Sequence, residues 1–149
     1  MKRIIVLVMM MLPIVAMAQL PQFSKVANKY SSVEGITSMV INKSMIAMFA
    51  DGNEDFDFVD EVQILMSEDA NVAANIAKDA KKAAKKSKLE ELLSANDEGA
   101  TYTIYTKSKN NEITHLVVIV ENDSPAGFVI ISGIIPEDKL NDVVKIANM

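Results

Sequence analysis

Apolar and polar positions change period several times along this chain, and each change marks a predicted element. Phe23, Val26, Ala27 and Tyr30 stand at i, i+3, i+4 and i+7, one face of a short amphipathic helix. Ser31 to Gly35 breaks it. Ile36–Ile41 reads as a first strand, and Asn42 is placed to cap a helix running to about Ala50. Met45, Met48 and Phe49 are expected to share the buried face of that helix. Glu61–Ser67 alternates as a second strand, with Val62, Ile64 and Met66 facing one way. Asp69 would cap a long helix whose stripe is Val72, Ala73, Ile76, Ala77, Ala80 and Ala84, with Lys78, Lys81, Lys82, Lys85 and Lys86 mainly outward. Ser87-Lys88-Leu89-Glu90 matches a Ser-x-x-Glu capping box, so a further helix is predicted to about Ser94, ended by Asn96–Gly99.

The last third changes to a period of two. Thr101–Thr106, Ile113–Val120 and Phe128–Ile135 are rich in Val, Ile, Thr and Tyr and read as a three-strand meander. Lys109-Asn110-Asn111-Glu112 fits a tight hairpin turn, because Asn tolerates positive φ, and Asn122–Gly127 makes the second reversal. In the middle strand His115, Val117 and Ile119 alternate with Leu116, Val118 and Val120, so both faces are apolar and the strand belongs inside a sheet. Pro136, Glu137 and Asp138 open a final helix with Leu140, Val143, Val144 and Ala147 as its stripe. The predicted fold is α+β: a single domain with a largely antiparallel five-stranded sheet, ending in the meander and packed by helices.

The first residues change the picture of where the chain goes. Met1-Lys2-Arg3, an apolar run from Ile4 to Ala16 and Ala16-Met17-Ala18 before Gln19 form a secretory signal peptide, residues 1–18, leaving 19–149 as the domain. Removing 18 residues from 149 leaves 131, and losing Lys2 and Arg3 takes the net charge from −5 to −7. Arg3 is the only arginine, so the mature chain lacks the guanidinium forks that read phosphates and bases, and nucleic acid is a poor partner. With no cysteine there are no disulfides, thiolate metal sites, cysteine nucleophiles or lipoprotein anchor. The expected product is soluble and exported to the periplasm or beyond, with no stable membrane span after cleavage.

Candidate chemistry is sparse. His115 is the only histidine, expected to be a strand residue partly exposed near the hairpin. No Gly-x-Ser-x-Gly, phosphate-binding loop or dinucleotide fingerprint occurs. Asp51, Asn53, Asp55 and Asp57 sit at alternate positions, like oxygen ligands of a calcium loop, but Phe56 stands at the sixth position and Val62 at the twelfth. The plainer reading is a solvated connection that Phe56 and Phe58 pin to the core. Met39, Met45 and Met48 raise a thioether copper site, although methionines at helical spacing are ordinarily core filler. The lysines of Ala77–Lys88 present a face for an acidic partner or anionic surface, against the plainer reading of a solvated helix. Tyr102 and Tyr105 lie on opposite faces of their strand, one expected inward and one outward.

Phe23, then Val33-Glu34-Gly35-Ile36-Thr37-Ser38, then a strand and Lys43-Ser44-Met45, resembles a family of exported Bacteroidetes proteins known as domain of unknown function 4252. The resemblance implies an envelope location and a small α+β fold, and it brings no catalytic residues. Two functions stand side by side: a non-catalytic exported module binding a protein or other envelope component, and a carboxylate-based hydrolase or carbohydrate-active enzyme. The absence of paired catalytic groups favours the module, with no catalytic residues, no cofactor beyond a possible calcium ion, and an undetermined oligomeric state.

Overall fold

The computed structural model describes residues 20–50, 57–136 and 138. The segment 1–18 read as a signal peptide, the calcium-like positions Asp51, Asn53 and Asp55, Phe56, and the stripe of the expected C-terminal helix lie outside the described residues.

Helix α1 (Pro21–Tyr30) begins with Pro at its first position and buries Phe23, Val26 and Tyr30, as its spacing predicts. Strand β1 (Ile36–Asn42) leads into α2 (Lys43–Ala50), whose entry is capped where the Met45 amide donates to Asn42 Oδ1 at 3.0 Å. Strand β2 (Val59–Ser67) follows, with Val62, Ile64 and Met66 on one face. Asp69 caps α3 (Ala70–Lys86) by accepting from the amides of Asn71 and Val72. The meander comprises β4 (Ala100–Lys109), β5 (Glu112–Glu121) and β6 (Ala126–Ile135). Its first turn places Asn110 and Asn111 at φ 54° and 66°, the two positive values a type I′ turn needs.

The sheet has six strands, not five. Residues Glu90–Asp97 form β3, paired antiparallel with β4, where the capping box had predicted a helix. The reason lies at the end of α3. Lys88 adopts φ 57°, its amide donates to Lys85 O, and the Leu89 amide donates to Ala84 O. Those two bonds are a Schellman termination, so Ser87 closes a helix instead of opening one. Glu98 and Gly99, both at positive φ, then turn β3 into β4. The strand order is β1-β2-β6-β5-β4-β3, antiparallel throughout. Helix α3 carries the chain from β2 to the far edge, and the meander brings it back until β6 lies beside β2.

Both faces of the sheet are buried at its centre, over β5 and β6. Leu65, Val117, Ile119, Phe128 and Ile130 meet α1 and α3, with Phe23 and Phe128 edge-to-face at 5.3 Å between ring centres. Leu116, Val118, Val120, Val129 and Ile131 form the opposite cluster, against which Ile41, Ile46 and Phe58 pack. Interior placement of β5 also buries His115, which is 5% exposed. The expectation of a partly exposed histidine fails because β4 and β6 flank it, in register with Lys107 and Ser132. Double cover likewise leaves Tyr102 and Tyr105 half-buried on opposite faces, rather than one in and one out.

Candidate functional site

The helix layer concentrates positive charge. Helices α1 and α3 carry Lys25, Lys29, Lys78, Lys81, Lys82, Lys85 and Lys86 against a single carboxylate, Asp79. That is a net +6 on two helices of a chain whose total is −5. The pattern follows from packing: small alanines press the inner side of α3 onto the sheet and α1, so its long polar side chains must point outward. Lys85 and Lys86 in the last turn also complement the helix dipole.

Where α1 and α3 meet, a surface groove of about 180 Å³ opens, with Lys25, Lys29, Lys82 and Lys86 on its walls and Asp79 among them. The groove accommodates a carboxylate or phosphate-sized group. Asp79 is its organising anion. Asp79 Oδ2 accepts from Lys29 Nζ at 2.9 Å and from the Tyr30 hydroxyl at 2.7 Å, fastening α1 to α3. Partial burial alone would raise the Asp79 pKa, but the hydrogen bonds from Lys29 and Tyr30 and the charges of Lys29 and Lys82 outweigh it and hold the carboxyl below its ordinary value. Burial, then the Asp79 hydrogen bond, raises the Tyr30 hydroxyl, keeping it a donor at neutral pH.

Because the Asp79 pKa is depressed on folding, its contribution is fully present above the ordinary value of 3.8 and is lost as pH falls through the lower folded value. Asp79→Asn is expected to cost about 1 kcal/mol at neutral pH, with the gap to wild type closing in strong acid. Urea titrations at a series of pH values check this. An unchanged gap down to the acid limit would show that the carboxylate charge contributes nothing.

A second depression, about 440 Å³, lies between the start of α3 and the β5–β6 connection and includes Glu121, Asp123 and Ser124. Glu121 is ion-paired with Lys81, while exposed Asp123 accepts from the Ser124 amide at 2.8 Å. Of the calcium-like set only Asp57 is described, exposed in the turn before β2. Among the described residues, no group of three or more His, Cys, Asp or Glu side chains is placed to hold a metal ion. His115 Nδ1 lies 2.9 Å from Thr114 Oγ1 inside the sheet. Met39, Met45 and Met48 are 45%, 40% and 80% exposed, and Phe49 is 77% exposed, so the expected buried face of α2 is instead its outer face. This two-turn helix packs inward through Ile46.

Sequence spacing found the lysines of α3. It missed that Lys25 and Lys29 join them, a signal present in an α1 that has two lysines and no acid.

Fold and groove define a small α+β domain with a lysine-rich two-helix face. A family model described as Domain of unknown function (DUF4252) matches residues 30–143, and the chain belongs to that family. No curated protein and no solved structure matches the chain. Among the described residues, no helix is long and apolar enough to cross a membrane.

Proposed function

We propose that this protein is an exported, non-catalytic binding domain of the cell envelope, and that its two-helix lysine face takes an acidic segment of a protein partner. The observation that carries this reading is the segregation of charge: seven lysines and one carboxylate on α1 and α3, in a net acidic chain. Scattered solvation charges would intermix the two signs, whereas a single-sign field attracts and orients an oppositely charged partner. Protein is favoured over lipid because the apolar side of each helix is committed to the core, leaving nothing to insert into a bilayer. Lysine in place of arginine suits a flexible chain of carboxylates, since ammonium groups act as point charges without a fixed fork.

The test titrates the protein with a glutamate-rich probe peptide and, separately, with phosphatidylglycerol-containing vesicles. Wild type is expected to bind the peptide with an affinity that falls as salt rises, because exposed charges are screened within about 8 Å at physiological ionic strength. Lys82→Glu with Lys86→Glu is expected to weaken peptide binding by about tenfold or more, equivalent to 1.4 kcal/mol. Asp79→Asn, which takes the groove from +3 to +4, is expected to strengthen it. Equal peptide binding by wild type and the double variant would overturn the reading, and binding to vesicles alone would replace it with a membrane-surface role.

A further inference from the structure

The two edges of the sheet are built differently. The β3 edge carries Glu90, Glu91 and Asp97, and its ladder is interrupted by a register shift between Glu91 and Leu93. Charge and irregularity are the usual devices that keep an edge from pairing with another chain. The β1 edge has neither. Its seven residues, Ile36 to Asn42, contain no charge and no proline, and pair with β2 without a shift. Among the described residues β1 has one neighbouring strand, so its outer side presents a row of backbone donors and acceptors. Apolar side chains accompany that row on both faces, with Met39 45% and Val40 50% exposed. Met45, Met48 and Phe49 of α2 extend the exposed apolar surface beside it.

We infer that β1 is the contact surface for a second copy of this chain, the two β1 strands pairing antiparallel about a two-fold axis at Met39 to make one continuous twelve-stranded sheet. The occupant follows from self-complementarity, which a two-fold interface requires. With Met39 opposite itself, Ile36 faces Asn42, Thr37 faces Ile41 and Ser38 faces Val40 of the partner subunit, so no charge enters the ladder. Lys43 at the start of α2 is held only loosely by Asp60, at 3.5 Å, and its side chain is 62% exposed; just beyond the ladder the turn carrying Glu34 lies beside it across the two-fold axis, and the symmetry repeats this opposite-charge match at the other end. Two copies of an acidic chain repel across most of their surfaces. The uncharged β1 edge, with complementary ends, lets two copies meet without setting like charges opposite one another. Main-chain hydrogen bonds supply the affinity of such strand addition, and the flanking side chains fix its register. This inference is independent of the lysine face, which lies on α1 and α3.

Sedimentation over the micromolar range provides the test, with full chains throughout. Wild type is expected to be a dimer. Met39→Glu and Met39→Lys should each weaken dimerisation by about a hundredfold or more, because like charges face one another across the axis. Mixing the two variants should restore a heterodimer. Leu92→Glu, on the β3 edge, should leave the dimer unchanged. Since the protein has no cysteine, Met39→Cys offers a second readout that requires no change of charge: directly opposed strand positions have Cβ atoms about 4.5–5.5 Å apart, so oxidation should yield covalent dimers, and Leu92→Cys should not. A monomeric wild type, a dimer that survives Met39→Glu, or equal cross-linking from Leu92→Cys would each overturn the inference.

Discussion

Gly127→Ala is expected to abolish cooperative folding. Gly127 sits at the start of β6 with φ 153°, and a Cβ there would lie 2.0 Å from Leu65 O and 2.9 Å from Met66 Cα. Both obstacles are backbone atoms of β2, so no rotamer change makes room. Relief requires β6 to move away from β2, at the point where Gly127 pairs with Met66 on one side and Val120 on the other. The cost should exceed the 4–5 kcal/mol that is already exceptional for a point substitution, against a total stability of about 5–15 kcal/mol. Thermal and urea unfolding followed by circular dichroism check this. Gly99→Ala is the control, since nothing lies within 4 Å of its added Cβ and only its φ of 90° is disfavoured. It should cost about 1 kcal/mol. A Gly127→Ala protein melting within a few degrees of wild type would show that the strands are not held this close.

The next residue supplies the second large effect. Phe128 is fully buried and meets Phe23 edge-to-face, joining the sheet to α1. Phe128→Ala is expected to cost about 3–5 kcal/mol, combining lost transfer energy with the cavity left under the helix layer. Phe23→Ala should cost a similar amount, and the double variant less than the two together, by about 0.5–1.5 kcal/mol for the ring pair. Denaturant midpoints for all four proteins measure the cycle. Strict additivity would mean that the rings fill space without interacting specifically. Loss of Phe23 should also loosen α1 and thereby disturb the lysine groove, whereas the β4–β5 hairpin should persist.

These effects fall where the sequence was most readable. The unbroken apolar run Leu116–Val120, apolar on both faces, marked β5 as an interior strand, and Asn110-Asn111 marked the turn before it, because both signals are local and physically unambiguous. Asp69 and Asn42 were legible as caps for the same reason. Ser87–Glu90 misled because one short polar pattern serves both ends of a helix, and only the pairing of Glu90–Asp97 with β4 decides between them. Met45, Met48 and Phe49 misled because helical periodicity names a face without saying which way it turns. The lysine groove was half visible: the α3 lysines are adjacent in sequence, whereas Lys29 reaches Asp79 across fifty positions. Such proximity is a product of α1 docking on α3 and has no local signature.

The order of the strands has a consequence for how the chain assembles. Strands β3 to β6 pair successively through short connections, so they can form early, each loop closing at small entropic cost. The β1–β2 pair is joined to them along one seam, β2 against β6, between residues 59 to 74 positions apart. Gly127 and Gly133 stand near the two ends of that seam, each closing on a β2-side carbonyl. On a ribosome, β2 would therefore wait with an open edge until the last third of the chain emerged, and the two halves would meet by a docking step instead of by growth from a neighbour.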